Sequence, residues 1–175
     1  MGIASKLQEG GGHKGVKFDE VGQSYTGTLH QLREQQDTDY ATGEPLYWVD
    51  RKQSMTRSDE PVMTVILTLQ TELNDGEDEN GREDNGLRDV YCRSGLHTAL
   101  QQALRQMPKG VSDEDLIGCK VTVTFDHDVP HSNPRFNARK VYVIEFGSKP
   151  GLVAAAHERT ERQQQEVDNA DIPFD

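Results

Sequence analysis

The stretch PVMTVILTLQTEL, residues 61–73, is written in a two-residue period. Met63, Val65, Leu67 and Leu69 alternate with Thr64, Thr68 and Gln70, so a strand with one apolar and one polar face is expected, whereas a helix would repeat every three to four residues. Working outward, the acidic run NDGEDENGREDNG separates this strand from LRDVYCR. There Val90 and Cys92 are expected inward and Tyr91 and Arg93 outward. Upstream, FDEVGQSYTGTLHQL reads as a strand bent or bulged at Gly22 and Gly27. Downstream, GCKVTVTFDHD alternates again with Val121, Val123 and Phe125 inward, and RKVYVIEF forms the last strand.

One helix interrupts the strands. In SGLHTALQQALRQM, Leu96, Ala99, Leu100, Ala103, Leu104 and Met107 recur on a single helical face. Ser94 stands at the N-cap position, and Pro108 and Gly110 stop the helix. The order is three strands, one helix and two strands. It predicts a mainly β domain, a five-stranded Greek-key barrel of the OB type with its helix after the third strand. A different α+β sandwich has the same element count, and the barrel is the preferred reading. The expected organisation is a flexible Gly-rich arm over residues 1–16, the barrel over 17–147, and a disordered acidic tail over 148–175.

The 175 residues suit one domain with flexible additions, and 33% hydrophobic content is low for a chain folded throughout. The net charge of −11 is unevenly spread. Residues 72–89 hold eight acids against two bases, and residues 151–175 six against two. The remainder is nearly neutral, so total charge does not exclude a nucleic-acid partner. No apolar run is long enough to span a bilayer, and no signal pattern opens the chain, so a cytoplasmic location without membrane association is expected. Cys92 and Cys119, the two cysteines, sit in apolar text and read as buried thiols.

No catalytic constellation is legible: the sequence lacks GxSxG, HExxH and Walker patterns, and neither enzyme activity nor a cofactor is expected. Asp75, Glu77 and Glu79 are followed by Asn80 where a calcium loop needs Gly. His127 and His131 lie across Pro130 and read as loop residues rather than metal ligands. Two basic and aromatic clusters are more informative. Tyr40, Tyr47 and Trp48 precede Arg51, Lys52 and Arg57, while Arg135, Phe136, Arg139 and Lys140 share the connection between the last two strands. Rings for bases and cations for phosphates are what single-stranded nucleic acid requires. In an OB barrel the loops after the first and fourth strands flank the binding groove, and the third strand, with Tyr91 and Arg93, borders it.

The chain ends in DNADIPFD. DNADIPF resembles the C-terminal tip of bacterial and phage single-stranded DNA-binding proteins. Residues 18–147, with QQDTDYATGEPLYW and VILTLQT, loosely resemble such proteins from actinobacterial phages. The resemblance implies a protein that coats single-stranded DNA during phage replication, recombination or repair, in the host cytoplasm. It further implies docking of replication or repair proteins, with Ile172, Pro173 and Phe174 as anchors and Asp168 and Asp171 steering. Family members assemble several barrels, which makes a homo-oligomer an open expectation. Asp175 departs from the family pattern, which ends on Phe. Two other functions fit the same text: a protein-interaction module or DNA mimic, and a metal-dependent nuclease at the acidic loop or the histidines.

Overall fold

The structure is a computed structural model describing residues 13–147, residue 149 and residues 161–162. It is mainly β. Among the described residues the strands are β1 (Lys14–Gly15), β2 (Ser24–Gln36), β3 (Tyr47–Val49), β4 (Lys52–Ser54), β5 (Met63–Gln70), β6 (Leu87–Cys92), β7 (Lys120–Val129) and β8 (Arg139–Phe146). Helix α1 spans Gly95–Arg105 and the single turn α2 spans Asp113–Leu116. Six strands form one mixed sheet in the order β1-β6-β5-β2-β7-β8, and β3 pairs with β4 in a separate ribbon.

All five expected strands exist, but they do not close. The expected five-stranded barrel is replaced by an open six-stranded sheet with β1 and β8 at its edges. The sixth strand comes from the segment expected to be a free arm: Lys14 and Gly15 pair in parallel with Arg88 and Asp89. Residues 1–12 of that arm, and nearly all of the expected tail, lie outside the described residues.

The sheet turns about β2, which serves two neighbours. Residues 24–28 pair with β7, and residues 28–36 pair with β5. At the changeover Gly27 lies so close to β5 that an added Cβ would sit 2.6 Å from the Gln70 carbonyl oxygen. A register shift between Leu29 and Gln31 adds a bulge, which increases twist and bends the strand.

The core collects Leu29, Leu67, Leu69, Val90, Cys92, Val121, Val123, Phe125 and Ile144 from the strands, with Ala99, Leu100 and Ala103 from α1. Leu96 and Met107 pack on its margin, while Leu104 is the most exposed of the expected helix face. The helix is held against β8 at its start, where a Cβ on Gly95 would meet the Lys140 carbonyl oxygen at 2.6 Å. Ser94 occupies the N-cap position without a capping hydroxyl bond, at φ 47°, and its carbonyl accepts from Thr98 N.

The expected polar face of β5 is not solvated. Thr64 and Thr68 are buried, as is Ile66 between them. Each hydroxyl has a carboxylate partner supplied from elsewhere in the chain: Thr68 donates to Asp89 at 2.6 Å and Thr64 to Asp37 at 2.7 Å. Asp89 is fully buried and paired with Arg33 at 2.8 Å. Such an ion pair tolerates loss of one partner poorly, because the other charge stays buried. Conversely Met63, expected inward, is exposed at the end of its strand. The Gly27 contact gives a direct test. Gly27→Ala is expected to destabilise the fold by about 1–3 kcal/mol, the usual cost of overpacking, seen as a lower urea midpoint; an unchanged midpoint contradicts the close approach.

Candidate nucleic-acid interface

The polar excursion after β2 folds into a ribbon. Leu46 N donates to Asp37 O at 2.8 Å, and Val62 N donates to Leu46 O at 3.0 Å, so the base of the ribbon is stitched to the end of β2 and the start of β5. Trp48 N donates to Glu60 O at 2.8 Å, adding a third line of backbone. The tip is a two-residue turn with both central residues at positive φ, Asp50 at 48° and Arg51 at 63°. That is the conformation hairpins prefer for twist, although Asn-Gly adopts it more cheaply. Below it the TGEP turn closes as expected, with Gly43 at φ 72° and Asp39 Oδ1 accepting from Thr42 N at 2.9 Å. That bond is the main cause holding the Asp39 carboxyl below its ordinary pKa.

Between this ribbon and the start of α1 runs a groove of about 690 Å³. Trp48, Tyr40 and Gln53 line the ribbon side, and Arg93, Ser94 and His97 the helix side; Asp37, Met63 and Thr64 also line it. Trp48 is 39% exposed and Tyr40 fully exposed. Strand alternation turns Tyr47 and Lys52 to the opposite face of the ribbon from Trp48 and Gln53. Arg51 occupies the tip, and Arg57 is exposed on the returning segment. Of the residues in the expected clusters and on the third strand, the groove therefore unites Tyr40 and Trp48 with Arg93. It adds His97, Gln53 and Asp37, which carry no distinctive sequence signal.

Tyr91 stands on β6 beside Arg93, whose guanidinium carbon lies 5.4 Å from the centre of its ring. The second cluster occupies the β7–β8 connection. Phe136 is 61% exposed and rests against His131, ring centres 4.9 Å apart. Arg135 and Arg139 are exposed. Lys140 is committed to the fold: its ammonium donates to Phe18 O at 2.7 Å and lies over the Phe125 ring. Because Gly95 abuts Lys140, the helix start that borders the groove also touches the root of this second cluster. Asp168, Asp171, Ile172, Pro173 and Phe174 lie outside the described residues.

The acidic loop is built as a structural clamp. Asp84 accepts from Arg88 in two bonds of 2.8 and 2.6 Å, and Asp75 accepts from the same guanidinium at 3.1 Å. Lys14 approaches Asp75 at 3.4 Å and Asp84 at 3.6 Å, tying β1 to the same point. The Arg88 bonds hold the Asp84 carboxyl well below the usual carboxylate range. His127 Nδ1 faces Asp126 at 2.6 Å, whereas His131 Nδ1 accepts from Asn133 N, so the two histidines have separate partners. Among the described residues no group of three or more His, Cys, Asp or Glu is placed to hold a metal. Cys92 and Cys119 are both free and buried, and burial pushes the Cys92 thiol up to about 12. Among the described residues no helix is long and apolar enough to cross a membrane. No family model, curated protein or solved structure matches the chain.

The depressed Asp84 pKa has a definite sign. The folded state binds the proton less readily than the unfolded chain does. The clamp's contribution is complete above the unfolded carboxylate pKa of about 4 and fades as pH falls below it. Asp84→Asn should therefore flatten the fall in urea midpoint between about pH 5 and pH 2.5; an equally steep fall in the variant contradicts the clamp.

Proposed function

We propose that the chain binds single-stranded DNA without strong sequence preference, acts in phage DNA replication, recombination or repair, and performs no catalysis. The observation that carries this reading is the groove with an exposed Trp48 on one wall and Arg93 on the other. Aromatic faces stack on any base, and surrounding cations track the backbone. Arg51, Lys52 and Arg57 on the ribbon, with Arg135 and Arg139 on the β7–β8 connection, would supply the phosphate contacts. Tyr47 and Phe136 would offer further rings.

The connectivity supports an open form of the OB fold. Its five long strands lie in the order β6-β5-β2-β7-β8, with the first of them in sequence shared between two partners and α1 following the third. In that fold the connections after the first and fourth strands bind oligonucleotides, and here they carry the two clusters. The terminal Ile172, Pro173 and Phe174, with Asp168 and Asp171, would recruit replication or repair proteins through one aromatic anchor and long-range charge attraction.

Fluorescence of Trp48, the single tryptophan, provides the test. Oligo(dT) is expected to quench it, with affinity falling as salt rises because phosphate contacts release counterions. By filter binding, Trp48→Ala should cost about 1–3 kcal/mol if the indole stacks on a base. Full affinity in a folded variant, or no binding by the unaltered protein, rejects the reading.

A further inference from the structure

Among the described residues Arg93 is the only Lys or Arg lining the groove, and it is not a free cation. Its Nη2 donates to Asp37 Oδ1 at 2.6 Å and its Nε to Asp37 Oδ2 at 3.2 Å, a two-pronged pair along one edge of the guanidinium. Asp37 is fixed in turn, because Thr64 donates to Oδ2 at 2.7 Å and the Asp37 backbone carbonyl holds Leu46 N at the ribbon base. The Arg93 side chain is 57% exposed and that of Asp37 only 12%, so the pair presents its guanidinium outward. A guanidinium has five N–H donors, and two face Asp37. The remaining donors can reach the groove, yet the pair has no net charge.

We propose that Asp37 makes this groove a subsite for a nucleobase rather than a phosphate: the neutralised Arg93 donates to base carbonyl or ring-nitrogen acceptors, while phosphates are left to the ribbon and the β7–β8 connection. This rests on the single-stranded DNA reading above. A phosphate entering the groove would meet the Asp37 carboxylate beside the guanidinium, and like charges there raise its cost. A neutral acceptor meets no such opposition. Trp48 and Tyr40 on the facing side offer rings to the same base, and the Tyr91 ring lies 5.4 Å from the Arg93 guanidinium carbon. Arg93 thereby acts at the base, and Asp37 is a positioning residue that decides what the arginine binds.

The test compares oligo(dT) with an abasic strand of equal length, which keeps the phosphates and lacks the bases, across a salt series. Arg93→Gln removes the base donors and also uncovers the Asp37 charge, so both strands should bind less tightly, with oligo(dT) losing about tenfold more than the abasic strand. Asp37→Asn keeps an acceptor for Thr64 but removes the charge. Abasic binding should then tighten and the slope of log affinity against log salt steepen by about 0.7, one phosphate's worth on a single strand. Circular dichroism establishes that each variant is folded; should Asp37→Asn fail that check, the Arg93→Gln comparison decides alone. If Arg93→Gln weakens both strands equally and flattens the slope by about 0.7, Arg93 binds phosphate and the inference is overturned. An unchanged oligo(dT) affinity in Arg93→Gln, or an unchanged slope in folded Asp37→Asn, also overturns it. Binding of neither strand by the unaltered protein is a different failure, that of the functional reading itself, and removes the inference with it.

Discussion

Along its length β2 changes partner from β7 to β5, and the register shift between Leu29 and Gln31 marks the bulge that bends it there. The bend requires the backbone of Gly27 to lie against the Gln70 carbonyl, a separation no side chain would permit. Because β7 leads to β8 and β5 leads to β6, both halves of the sheet take their direction from this point. The core residues Leu29, Leu67, Val121 and Val123 face one another across it. Helix α1 fills the space between β6 and β8, with Ala99, Leu100 and Ala103 in the common core.

The groove follows from the same strand. β2 ends at Gln36, and the next residue, Asp37, simultaneously anchors the ribbon through its backbone and Arg93 and Thr64 through its carboxylate. One residue thus connects the ribbon, β5 and the end of β6. The two-residue turn at Asp50 and Arg51 and the bond from Trp48 N to Glu60 O fasten the backbone of β3 that carries the indole. A binding ring on fastened backbone loses less conformational entropy on meeting its ligand.

The five long strands and α1 were legible because their apolar residues keep a regular period, and Val121, Val123 and Phe125 lie inward as that period requires. What local text could not convey is pairing at a distance. Thr64 and Thr68 look like a solvated face until Asp37 and Asp89 arrive to satisfy them. Lys14 and Gly15 look like part of a mobile arm, since their strand exists only against β6. The ribbon was missed because Asp50 and Arg51 take positive φ without glycine. The turn α2 was missed although Ser112 and Asp115 have capping-box spacing, Ser112 N donating to Asp115 at 2.9 Å. Closure of the barrel was over-read: element order specifies which strands follow one another, not whether the end strands meet. For the site, ring and cation composition pointed to the ribbon and the β7–β8 connection, but the partition of Tyr47 and Lys52 from Trp48 depends on the ribbon's alternation. His97 and Asp37 carry no signal of their own; only folding places them in the groove.

A second concave surface offers a contrast. The face over the β2 bend, about 710 Å³, is lined by Ser24, Thr26, Thr28 and Gln70, with Lys120 the one lysine among the described residues there. It has hydroxyls and Tyr25, but among the described residues it lacks the ring-and-arginine pairing of the groove beside the ribbon. Ultraviolet cross-linking of oligo(dT) to the full chain, followed by mapping of the joined peptides, distinguishes the two surfaces most directly. Binding across the ribbon and helix start predicts attachment within residues 40–57 and 91–97, with Trp48 or Tyr40 among the joined residues. Attachment confined to the peptides of the β2 bend and Lys120, or no attachment at concentrations where the strand is otherwise retained, would contradict it.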